Sequence, residues 1–144
     1  MSRTIMLVLT LLSVGRAMTL FFLSGVGSGL PGDPPTGWLM PLVGDAVIGV
    51  TALGIAYLIA TKSGLGVWST ILVWNAIAIW DALSAFLIHR TIPWPEFFMV
   101  RMLGSSMFFA ASAMHLAIIA LACRPDVRAH FLGRGVVKSP TAHA

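Results

Sequence analysis

The chain has 144 residues, 58% of them hydrophobic and 10% charged. An ordinary soluble domain has about a quarter of its residues charged, so a water-facing surface is excluded and a single membrane domain fits. The net charge of +4 does not point to nucleic acid. Four of the nine basic residues, Arg124, Arg128, Arg134 and Lys138, crowd into the C-terminal tail, where they would set orientation or meet anionic headgroups.

A single cysteine, Cys123, rules out an internal disulfide and a Cys-x-x-Cys redox pair. The first apolar stretch, about 4–24, is interrupted only by Arg16. It continues past the arginine with no small-residue cleavage signal, which favours a retained helix over a signal peptide. Residues 25–40 form a linker rich in glycine and proline, which cannot continue a helix. Trp38 near its end suits an interfacial anchor. The second stretch, 41–61, opens on Pro41, which a first turn tolerates. Asp45, Gly49, Ala52 and Ala56 share one helical stripe there, small enough to admit a neighbouring helix.

After a short turn around Lys62, the third stretch covers 67–89. Trp74, Ala78, Asp81 and Ala85 share a face, and Asn75 lies about 120° away, so Asn75 and Asp81 face different neighbours. Pro93-Trp94-Pro95 forms a second, rigid interfacial linker. The fourth stretch, 97–123, read as one continuous helix, aligns Arg101, Ser105, Phe108, Ser112 and His115 within about 40°. Residues 124–144 form a basic, loosely ordered tail.

The expected fold is therefore all-α: an antiparallel bundle of four transmembrane helices in 1–123, followed by the tail. Arg3, Lys62, Arg124, Arg128, Arg134 and Lys138 fall on one side of such a bundle, and only Arg90 lies outside the spans on the other. That imbalance predicts both termini in the cytoplasm.

Each span also carries one charged residue. Counted from the opposite membrane boundary, Asp45 and Arg101 lie roughly 5–7 Å deep, Asp81 roughly 12 Å and Arg16 about 15 Å. Unpaired charges at mid-helix cost about 2.5–3.5 kcal/mol each even on the lower scales, so the expected arrangement pairs Arg16 with Asp81 and Arg101 with Asp45. Asn75, Ser105, Ser112 and His115 complete the polar interior. His115 falls about 25 Å deep, and His89 about 20 Å away from it, too far for both to hold one haem. His115 alone could ligate a haem or chlorophyll-type pigment, although a hydrogen bond to Ser112 or Asn75 is the simpler expectation. No cofactor is otherwise indicated. No metal cluster, phosphate loop or catalytic serine set is legible.

Gly44-Asp45 in the second span, Trp74-Asn75 and Asp81 in the third, and His115 late in the fourth resemble a group of small bacterial four-span membrane proteins. The resemblance implies a four-helix fold in the bacterial inner membrane and assigns no activity; Arg16 lies outside its pattern. Together these readings predict a non-enzymatic accessory or structural subunit of a membrane complex, or a homo-oligomer, in which the Arg/Asp network fixes helix order. A bundle that binds or transports a small ligand or protons is the first alternative. A pigment- or haem-bearing subunit using His115 is the second.

Overall fold

A computed structural model describes residues 1–94 and 96–133. Among the described residues every regular element is helical, and four helical stretches are long and apolar enough to cross a membrane: Ser2–Gly25, Thr36–Thr61, Leu65–Thr91 and Ser106–Cys123. The first consists of α1 (Ser2–Leu12) and a 3₁₀ segment, Ser13–Gly25. The second is a 3₁₀ turn, Thr36–Trp38, leading into α2 (Leu39–Thr61), and the third is α3 (Leu65–Thr91). A short α4 (Phe98–Leu103) precedes α5 (Ser106–Cys123), and α6 (Pro125–Leu132) closes the described chain.

Two differences from the sequence reading matter. The fourth span is not continuous, because Gly104, with φ +56°, breaks the helix between α4 and α5. Only glycine adopts that backbone region without strain. The break cancels the expected alignment of Arg101 with His115, since a stripe calculated at 100° per residue assumes an unbroken helix. The start of the tail is also not loose. Val127 and Phe131 of α6 are buried in the core, and the Phe131 carbonyl accepts a 2.7 Å bond from the Gly64 amide. Arg134 and Lys138, counted above for orientation, lie outside the described residues.

The 13-residue 3₁₀ segment is unusually long, since such runs rarely exceed three or four residues. With three residues per turn, every third side chain eclipses the last, and burial follows that period. Ser13 and Thr19 are buried and Arg16 and Phe22 half-buried, whereas Gly15, Met18, Phe21 and Ser24 are exposed. Buried Thr10 extends the inward file into α1. The Thr19 hydroxyl is shared between the carbonyls of Arg16 (2.8 Å) and Leu42 (3.1 Å), tying this segment to α2.

α1 packs against α2 and α5, α2 against α3, and α3 against α5, closing a ring. Further along, the 3₁₀ segment leans chiefly on α2. The contact is close because Gly49 lies on the small-residue stripe: a Cβ there would sit 2.1 Å from the Ala17 backbone nitrogen. At one end of the bundle, Met6, Ile59, Ile71, Ile118 and Phe131 form a dry core. At the other, Trp38, Leu42, Trp94 and Phe108 form a second. Trp38 and Trp94 are only 2% and 1% exposed, so they are not lipid-facing anchors. Their indole N–H groups donate to the carbonyls of Ile92 (2.8 Å) and Gly32 (3.0 Å) and hold the two linkers together.

Substitution of Gly49 by Ala forces two backbones apart, an overpacking cost of about 1–3 kcal/mol. Gly54→Ala, on the same helix with nothing near its Cβ position, is the matched control. Reversible unfolding in mixed micelles should show Gly49→Ala clearly destabilised and Gly54→Ala unchanged or slightly stabilised. Equal stability of the two variants would refute the close contact.

Candidate functional site: one arginine between two carboxylates

The site is assembled from all four spans. The Arg16 side chain leaves the inward line of the 3₁₀ segment, with Nε and Nη2 donating to Asp45 Oδ1 on α2. Nη2 also donates to Asp81 Oδ2 on α3 at 2.5 Å. Nη1 approaches His115 Nε2 on α5 at 3.2 Å. The three charged side chains are 13–22% exposed, too little for free hydration, and the planar fork of arginine suits several acceptors at once.

Gly44 explains why the Gly-Asp pair stands where it does. A Cβ at residue 44 would lie 1.9 Å from Asp81 Oδ1. Gly44 thus makes room for the α3 carboxylate, and Asp45, next in the chain, supplies the α2 one.

The state of His115 follows from hydrogen-bond direction alone. Arginine can only donate, so His115 Nε2 must accept and the ring proton must sit on Nδ1. That proton faces Asn75 Oδ1 at 2.8 Å, and Asn75 Nδ2 donates onward to the Ile71 carbonyl at 2.7 Å. Reversing the Asn75 amide would set donor against donor, so the whole chain runs one way, from Arg16 to Ile71. His115 and Asn75 are both fully buried, and the Trp74 ring meets the imidazole edge-on at 5.4 Å. The Trp74 indole donates to Thr51 Oγ1 at 2.9 Å.

This arrangement engages the nitrogen that the haem or pigment reading would need. Axial ligation needs a ring nitrogen with a free lone pair. In His115, Nε2 accepts from Arg16 and Nδ1 carries the proton given to Asn75. Among the described residues no group of three His, Cys, Asp or Glu side chains is placed to hold a metal.

The structure gathers Arg16, Asp45, Asp81, Asn75 and His115 into one cluster, and leaves three expected residues outside it. Arg101 is exposed on α4 and forms no ion pair among the described residues, so its expected pairing with Asp45 is replaced by Arg16 serving both carboxylates. Ser105 stands at the α4–α5 junction as the residue before α5, half-buried. Ser112 is buried, but its hydroxyl returns to the Phe108 carbonyl at 2.9 Å. The depth assigned to His115 is corrected for the same reason as Arg101. Starting the fourth span at Ser106 instead of Phe97 raises His115 to roughly 13 Å, level with Asp81.

The cluster is not sealed. Arg16 and Asp45 form part of the wall of a cavity of about 310 Å³. Its apolar walls include Phe22, Phe97, Met107 and Phe108, with Ala82, Ala85 and Ala111 lining the α3 and α5 sides. No protein-family model, curated protein or solved structure matches this chain.

Removing Arg16 should leave two carboxylates facing each other in a poorly hydrated interior. Arg16→Gln is therefore expected to lose about 3–5 kcal/mol of stability, the usual cost of breaking a buried ion pair. Adding Asp81→Asn to it should recover part of that loss, a non-additivity that a double-mutant cycle in micelles measures. Arg101→Gln should stay within about 0.5 kcal/mol of the parent; a large effect there would contradict its exposed position.

The tautomer is open to direct test. Nitrogen NMR on protein labelled at histidine should show a buried ring protonated at Nδ1 and bare at Nε2. The Nε2 resonance should move on Arg16→Gln, which removes the donor facing it. A doubly protonated ring or the opposite tautomer would overturn the hydrogen-bond direction derived above.

Proposed function

We propose that this chain is a non-enzymatic integral protein of the bacterial inner membrane that binds a small amphipathic ligand. The ligand's polar group would meet Arg16 and Asp45, and its apolar part would lie along Phe22, Met107 and Phe108. The observation that carries this reading is the opening of the charged cluster into an apolar cavity. Pockets for small molecules have this character: mostly apolar walls and a few converging polar groups. An ion-pair network serving only to fix helix order would gain nothing from standing in a cavity wall, and so the subunit reading ranks second.

The membrane orientation proposed from the sequence draws further support from the contacts at one end of the bundle. There Arg3 donates to the Ile59 and Ala60 carbonyls at the end of α2. Lys62 follows α2, and Arg128 of α6 lies over the Trp68 ring at 5.7 Å. A cytoplasmic face rich in Lys and Arg, with the linkers and the cavity towards the other leaflet, follows the positive-inside rule.

Photolabelling of the protein in nanodiscs with diazirine-tagged octyl compounds, one an alcohol and one an amine, tests this reading. Labels should concentrate on Met107, Phe108 and neighbouring cavity residues for at least one of the two. Ala111→Leu, which intrudes on the cavity from its α5 wall, should cut that labelling about tenfold, the equivalent of an overpacking cost near 1.4 kcal/mol. Labelling spread evenly over lipid-facing residues such as Trp80 and Leu87, and insensitive to Ala111→Leu, would sink it.

A further inference from the structure

Charge balance in the cluster narrows the ligand class, granted that the cavity is a binding site as proposed above. The charged and titratable groups facing one another are Arg16 from the 3₁₀ segment, Asp45 from α2, Asp81 from α3 and His115 from α5. α4 adds no counter-charge to this set, because Arg101 is exposed and without an ion pair among the described residues. His115 is neutral, since its Nε2 accepts from Arg16. One guanidinium therefore faces two carboxylates, and the cluster carries an excess of one negative charge when both are ionised.

An uncompensated charge at this depth is costly. The smallest compensation is a proton held between the two carboxylates, which reach the same Arg16 nitrogen. The cavity offers a second means. Asp45 stands in its wall, and aromatic rings stand close by: Phe22 meets Trp94 at 5.3 Å and Phe97 at 5.7 Å, and Phe97 and Phe108 also line the cavity. Carboxylate and aromatic faces together favour a weakly hydrated organic cation. Arg16 does not repel it outright, because its own charge is more than offset by the two aspartates.

We infer that the cavity takes an amphiphile bearing a single positive charge, and that this cation and a proton compete for the Asp45–Arg16–Asp81 cluster. Binding of the cation releases the proton to solvent, and the charge of the cluster is conserved across the exchange.

The test uses the full chain in nanodiscs, titrated calorimetrically with octyltrimethylammonium, 1-octanol and octanoate against empty nanodiscs. The cation should bind about tenfold or more tightly than the alcohol. Its affinity should rise with pH as the proton is outcompeted. Buffers of different ionisation enthalpy should report close to one proton released per cation bound. Asp45→Asn should abolish the cation preference and the proton release. The comparison of the three probes on the parent protein decides the matter even if that variant fails to fold. Equal binding of octanol and the cation, preference for octanoate, or cation binding without proton release would overturn the inference and leave the cavity as a binding site. Absence of binding by all three above the empty-disc background would remove the cavity reading itself.

Discussion

A single guanidinium gripping two carboxylates and an imidazole is the contact on which the rest of this structure depends. Between helices in lipid there is little hydrophobic gain, since lipid tails are as apolar as leucine. Which helix stands beside which must then come from close packing and from polar groups that have nowhere else to go. Arg16 supplies the second for all four spans at once, reaching α2, α3 and α5 from the 3₁₀ segment. The Gly49 contact supplies the first, drawing the 3₁₀ segment and α2 together so that the arginine arrives at the right level.

The conformation of the first span is part of the same solution. In an α-helix Ser13, Arg16, Thr19 and Phe22 would drift by about 60° at each step of three residues, and Phe22 would leave the face that holds Arg16. At three residues per turn they stay aligned. The same residues that carry the charge thus reach into the bundle together with the side chains that frame it.

Much of this was legible in the chain. Four apolar stretches long enough to span, the small-residue stripe through Gly49, and the different direct partners of Asn75 and Asp81 follow from composition and helical period, because those signals are local and repeated. Arg16 and Asp81 could be matched because opposite charges in hydrocarbon must find each other. Arg101 could not be placed. It is as charged as Arg16, and only the positive φ of Gly104, one glycine among 14, decides that it stands outside. The depth of His115 departs from its expected value through the same residue. The 3₁₀ winding of 13–25 has no sequence signal at all beyond its polar period of three, Thr10, Ser13, Arg16 and Thr19. That period was visible in the chain and was masked by assuming 3.6 residues per turn. Trp38 and Trp94 depart from the expected anchors because an indole at the membrane boundary and an indole stapling two linkers look alike without their partners.

The two features that the sequence hid are also the two that open the site. Because the 3₁₀ segment leans on α2, it stands apart from α5 in the half of the bundle where α1 no longer fills the gap. Because the break at Gly104 delays the start of α5 to Ser106, the facing wall is completed by Phe97 and Met99, before and within α4, and not by a further turn of α5. The departures from regular helix cost backbone regularity at two places, and what they produce together is a charged group standing at the wall of an apolar cavity. That juxtaposition of charge and apolar cavity is the physical ground for the proposed reading of the cluster as a place where something binds.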